Sequence, residues 1–113
     1  MRSSQDWRMT LTWYVAARSS DLEEGSVLGV KVREFSIALY RIDGAVYATT
    51  NICTHGFALL SDGYLDGDCI ECPLHQGLFH VPTGDVRSAP VSDPITTYPA
   101  REEADTVLIQ LPG

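Results

Sequence analysis

FSIALYRIDGAVYATT, residues 35–50, contains the pattern on which the fold turns. Phe35 to Ile42 and Ala45 to Thr50 are both rich in β-branched and aromatic residues, which pack well on a pleated surface. Asp43-Gly44 stands between them, and that pair accepts the positive φ angles of a two-residue hairpin turn. Two antiparallel strands are therefore predicted. Upstream, Ser26 to Val32 reads as a further strand. Downstream, a second hairpin is expected from Gly63–Leu65 and Asp68–Cys72 about the turn pair Asp66-Gly67. Thr83-Gly84 reads as another turn and Thr106 to Leu111 as the last strand, while prolines at 90, 94 and 99 interrupt regular pairing. Ser19 to Glu24 alone could form a helical turn, and residues 1 to 10 show no period. Many short strands at close spacing mean an antiparallel, all-β fold, a barrel-like sandwich.

A chain of 113 residues supports one domain, with an inserted subdomain as the ceiling. Its apolar fraction of 44% and charged fraction of 20% are those of a globular protein. No window approaches the roughly 20 apolar residues that span a bilayer, so no membrane association is expected. Fifteen acidic against eight basic residues give a net charge of −7, which repels phosphate backbones and argues against a nucleic-acid partner. Leu11 to Ala17 is too short for a signal peptide and runs into Ser19, Ser20 and Asp21. Three cysteines do not make a secreted disulfide framework, and a reducing cytoplasm suits them better.

The chemistry lies in Cys53-Thr54-His55 and, after sixteen intervening residues, Cys72-Pro73-Leu74-His75. In an extended chain Cys53 and His55 point to one side. Cys72 and His75 need a turn at Pro73 to converge. Zinc accepts such ligands, and a structural zinc domain is one reading, but zinc spacing usually pairs two cysteines closely and two histidines closely. Here each cluster has one of each. A binuclear iron centre explains the mixture if each loop gives one thiolate to an inner iron and one imidazole to an outer iron, with two histidines replacing two cysteines on one metal. Cys69 forms a C-x-x-C pair with Cys72, yet strand alternation puts Ile70 and Cys72 on one face and Cys69 and Glu71 on the other. Cys69 is therefore read as an ordinary buried cysteine outside the ligand set.

At these residues the chain resembles the Rieske ferredoxins of bacterial aromatic-ring-hydroxylating dioxygenase systems, the naphthalene and biphenyl dioxygenase type. The resemblance is carried by Asn51-Ile52-Cys53-Thr54-His55-Gly56, Ser61-Asp62-Gly63-Tyr64-Leu65, Ile70-Glu71-Cys72-Pro73-Leu74-His75-Gln76-Gly77, Phe79, Thr83-Gly84, Ala89-Pro90-Val91 and Thr97-Tyr98-Pro99. It implies one 2Fe-2S cluster, with Cys53 and Cys72 on the buried iron and His55 and His75 on the surface iron. It implies a Rieske fold, with a cluster-binding subdomain over about residues 51–81 inserted in a basal β domain of about 10–50 and 82–113. Ala89-Pro90 would be a proline loop covering the cluster, and His80 a strand residue with no ligand role. Respiratory-chain members carry a bridged cysteine pair where this chain has Ala58 and Leu74, together with a membrane anchor, so that branch fits poorly.

The resemblance further implies a soluble one-electron carrier, not itself an enzyme, working between an NAD(P)H-dependent flavoprotein reductase and a terminal ring-hydroxylating oxygenase. A small subunit of an assimilatory reductase is the alternative. High-potential relatives place Ser and Tyr where this chain has Gly77 and Phe79, so the expected potential is at the low end of the Rieske range, roughly −150 mV. With three histidines in all and two of them assigned, the chain cannot also supply the two histidines and carboxylate of a mononuclear oxygenase iron. No G-x-G-x-x-G opens a dinucleotide site either.

Overall fold

The computed structural model describes residues 11–54, 58–74, 77–88 and 93–112. In chain order the strands are β1 (Leu11–Arg18), β2 (Val27–Val32), β3 (Phe35–Ile42), β4 (Ala45–Thr50), β5 (Tyr64–Asp66) and β6 (Cys69–Glu71). They continue with β7 (Leu78–His80), β8 (Val86–Ser88), β9 (Thr97–Tyr98), β10 (Ala100–Glu103) and β11 (Thr106–Pro112). Helix among the described residues is confined to two single 3-10 turns, Ser19–Asp21 and Leu60–Asp62. The strands form three antiparallel sheets with orders β1-β11-β10, β2-β3-β4-β9 and β5-β6-β7-β8. The all-β expectation is borne out.

The second sheet is the middle layer, and β3 shows why its sequence is apolar at both parities. Ile37 and Leu39 pack with Val107, Ile109 and Leu111 of the first sheet, while Ala38 and Tyr40 pack with Ile70 and Phe79 of the third. All four β3 residues are fully buried. At about 1.5–3 kcal/mol for each large apolar side chain removed from water, these two cores on opposite faces of one strand fix the stacking order of the layers.

The β3–β4 hairpin forms on the expected pair: Ile42 faces Ala45, and Asp43 and Gly44 take φ of 52° and 80°. Both turn N–H groups donate to the Glu24 carboxylate, at 2.7 and 2.8 Å. The second hairpin departs from expectation by one residue. Asp66 pairs with Cys69, so the loop is Gly67-Asp68, not Asp66-Gly67. Its register puts Leu65 opposite Ile70, and both pack into the same core. A turn on Asp66-Gly67 would set Leu65 against polar Asp68, so apolar burial decides between two turn pairs that local chemistry permits equally.

Pro99 makes the corner between sheets. Thr97-Tyr98 pairs with β4, and Ala100–Glu103 with β11. A residue without an N–H cannot continue a ladder, and the Pro99 carbonyl accepts from Gln110 N–H at 3.0 Å as the chain crosses over.

Candidate metal centre

Two loops carry the candidate thiols, and they close in the same way. In the first, Leu60 N–H donates to the Asn51 carbonyl at 2.8 Å, Ile52 and Leu59 form an isolated bridge, and Cys53 N–H donates to the Ala58 carbonyl at 3.0 Å. In the second, which joins β6 to β7, Cys72 N–H donates to the Gly77 carbonyl at 2.8 Å. Each cysteine thus ties its own N–H to the carbonyl five positions ahead. Cys53 is 3% exposed and Cys72 fully buried, and both belong to one apolar cluster with Ala38, Tyr40, Leu60, Ile70 and Phe79.

His55 lies in sequence between Cys53 and Ala58, and His75 between Cys72 and Gly77. Both histidines lie outside the described residues, as do Gly56 and the Ala89-Pro90 segment. Asp93, just beyond that segment, is tied to the first loop by Thr54 Oγ1, which donates to its carbonyl at 2.9 Å. Among the described residues no three His, Cys, Asp or Glu side chains gather as a metal site. The fit to an iron–sulfur group rests instead on the thiols. A thiolate in so apolar a setting carries the desolvation cost of a buried anion, and a metal cation held by Cys53 and Cys72 would offset it.

Cys69 is where the sequence reading needs correction. Alternation along β6 holds, with Ile70 buried and Cys69 and Glu71 on the other face, but Cys69 is half-buried rather than a core residue. Its Sγ points to Asp68 Oδ1 at 3.6 Å. Burial and the neighbouring Asp68 push the thiol up, the reverse of what a reactive or ligating sulfur needs. His80 is a strand residue as expected. Nε2 lies 2.9 Å from Asp68 Oδ2 and Nδ1 2.8 Å from Thr83 Oγ1, so the ring binds the β5–β6 turn to the Thr83-Gly84 turn. The His80 hydrogen bond holds the Asp68 carboxyl below its usual range.

Asn51 and Ser61 stood in the sequence only as motif letters, and their structural part was not read there. Asn51, 3% exposed, accepts from Ser61 N–H through Oδ1 at 2.7 Å and donates from Nδ2 to Ser61 Oγ at 2.9 Å. The side-chain amide closes the first loop at its base. A buried polar residue directly before Ile52-Cys53 was the available signal.

An all-β fold in which two loops bring buried cysteines to one apolar cluster fits the class of small iron–sulfur proteins. The family model described as "Rieske [2Fe-2S] domain" matches residues 12–99, and the chain belongs to that family. It is similar to the ferredoxin component of the naphthalene 1,2-dioxygenase system of Pseudomonas putida, at 53% identity over 91% of this chain and 99% of that one. Among solved structures it is similar to a Sphingomonas yanoikuyae B1 ferredoxin, with TM-score 0.85, 38% identity and coverage of 89% and 100%. It also matches a chain in a complex of reduced oxygenase and oxidized ferredoxin of carbazole 1,9a-dioxygenase, with TM-score 0.80, 39% identity and coverage of 86% and 91%. The resemblance read from the motifs is borne out: the chain is a Rieske-type ferredoxin with one 2Fe-2S cluster, an electron-transfer protein rather than a catalyst. No helix is long and apolar enough to cross a membrane among the described residues.

Proposed function

We propose that Cys53, His55, Cys72 and His75 hold the cluster, the two thiolates on the inner iron and the two imidazoles on the outer one. The observation that carries this is the matched closure of the two loops, Cys53 N–H to Ala58 and Cys72 N–H to Gly77, with both thiols in one apolar cluster. When bound, the cluster supplies reversible one-electron transfer. The protein's own share is to bury the sulfurs, exclude water through Leu60, Ile70 and Phe79, and carry the histidine-bearing segments on closed loops. The cluster-binding unit is taken as about residues 51–81, on a basal β domain formed by the rest.

The carrier works in the cytoplasm, receiving electrons from an NAD(P)H-dependent flavoprotein reductase and passing them to a terminal aromatic-ring-hydroxylating oxygenase. Support comes from relatives named as dioxygenase ferredoxin components and from the ferredoxin–oxygenase complex of a structural neighbour. The test is elemental analysis with EPR of the dithionite-reduced protein. About two iron and two sulfide per chain are expected, with the lowered average g of mixed ligation, lost or shifted in His55→Cys and His75→Cys. A colourless protein holding zinc and no sulfide defeats the assignment.

A further inference from the structure

Around the first loop, β2 contributes a glycine whose missing side chain is filled by the loop's polar clasp. A methyl group on Gly29 would meet Ser61 Oγ at 2.6 Å and both Asn51 Nδ2 and Ser61 Cβ at 3.0 Å. Gly29 does not have a positive φ, so its backbone conformation does not demand glycine. What demands it is the space taken by Asn51 and Ser61. Asn51 is further anchored through its N–H to the Ser36 carbonyl at 2.9 Å, at the start of β3. Two residues beyond Asn51 is Cys53.

The clasp also reaches toward the second loop. Gly63 follows the 3-10 turn begun at Leu60, and a methyl group there would run into the Glu71 carbonyl oxygen. Glu71 immediately precedes Cys72. One short path therefore links β2, the Asn51–Ser61 amide, Gly63 and the strand that ends at the second thiol.

We propose that Asn51 is a positioning residue: its side-chain amide, clasped to Ser61 and seated on the bare backbone of Gly29, holds the Cys53 loop in register with the Cys72 loop and so governs how tightly the cluster is kept. This rests on the assignment of Cys53 and Cys72 as ligands. A hydrogen bond between neutral groups stabilises modestly, but Asn51 is buried and its two part-buried bonds close the loop at its base, so their loss frees the ligand segment rather than a surface turn.

The test is cluster release from the holoprotein into excess EDTA, followed by visible absorbance, with EPR of the reduced protein as a second readout. Asn51→Ala is expected to release on the order of tenfold faster, the effect of two lost part-buried hydrogen bonds. Its EPR lines should broaden as the ligand geometry spreads. Gly29→Ala should reproduce both effects with the Asn51 and Ser61 side chains still present, because its methyl would meet Ser61 Oγ at 2.6 Å and Asn51 Nδ2 at 3.0 Å. Leu111→Ala, a truncation in the far core, supplies the comparison for general destabilisation. If Leu111→Ala at equal loss of melting temperature releases as fast as Asn51→Ala, or if Asn51→Ala releases at the wild-type rate, the clasp has no positioning role. If Cys53→Ser keeps two iron and two sulfide, the ligand assignment itself has failed; if Cys53→Ser loses them while Asn51→Ala is unchanged, the clasp alone is refuted.

Discussion

The buried pair Tyr40 and Thr49 gives a prediction whose asymmetry follows from counting protons. Both residues are fully buried, and their hydroxyls are 2.9 Å apart. Thr49 Oγ1 already donates its single proton to the Thr50 carbonyl at 2.7 Å, so Tyr40 must be the donor between them. Burial raises the phenol pKa further above its ordinary value, and the donor stays protonated across the working range. Tyr40→Phe removes that donor but leaves Thr49 bonded to Thr50, a loss of about 1 kcal/mol. Thr49→Val instead strands a phenol O–H in the apolar cluster that holds Cys53 and Cys72, and it deprives the Thr50 carbonyl of its donor. That cost is roughly 2–3 kcal/mol. The double variant has no stranded phenol, so it should be more stable than Thr49→Val alone by about 1 kcal/mol. Native-state amide exchange of the slowest β3 protons reads this without denaturing the cluster. The expected acceleration is about fivefold for Tyr40→Phe and roughly thirtyfold or more for Thr49→Val. Thr49→Val exchanging no faster than Tyr40→Phe, or strict additivity in the double variant, refutes the assigned donor direction.

Three further outcomes are expected. The Arg41 guanidinium, bonded to both carboxylate oxygens of Glu102 at 3.0 and 2.6 Å, holds that carboxyl down to about 2. A depressed carboxylate contributes its stability above its unfolded pKa and loses it as pH falls, so the melting temperature should drop between about pH 4.5 and about 2. Glu102→Gln should start lower at neutral pH and show a flatter acid limb; an identical acid limb would count against the pair. Iron and sulfide analysis should find Cys69→Ser and His80→Ala fully loaded and Cys72→Ser empty, and cluster loss in Cys69→Ser would overturn the ligand set. Voltammetry should place the midpoint near the low end of the Rieske range, roughly −150 mV, because buried Gly77 and Phe79 offer no hydroxyl to stabilise the reduced form; a midpoint well above zero defeats that argument.

What sequence could reveal divides along local and non-local physics. The β3–β4 hairpin was fully legible, since the Asp43-Gly44 turn and its flanking strands act within sixteen residues. β11 was legible for the same reason, with Val107, Ile109 and Leu111 buried at strict alternation. The Gly67-Asp68 loop was not, because its register depends on Leu65 and Ile70 meeting a core built by distant β3. β8, β9 and β10 are two to four residues long, and each exists only through a partner strand. Pro99 signalled a break in pairing but not that the chain changes sheets there. At the centre, the spacing of Cys53/His55 and Cys72/His75 raised the candidate ligands; the structure describes the two cysteines, in one apolar cluster, while both histidines lie outside the described residues. The clasp on Gly29 gave no such signal, since Asn51, Ser61 and Gly29 come from three separate segments with no shared periodicity.

The three-layer order explains how so short a chain can hold a metal group steadily. Each face of β3 serves a different core: Ile37 and Leu39 look to the basal sheet, Ala38 and Tyr40 to the thiols. A cavity made at Leu39 lies on the face away from the cysteines, and one at Ile70 lies beneath them. Both truncations to Ala remove similar apolar volume and cost about 2–5 kcal/mol. The layering demands that they differ in kind, because Cys53 and Cys72 share the core of Ile70 and not that of Leu39, while Asn51 N–H, bonded to the Ser36 carbonyl, fastens the first loop to the middle sheet.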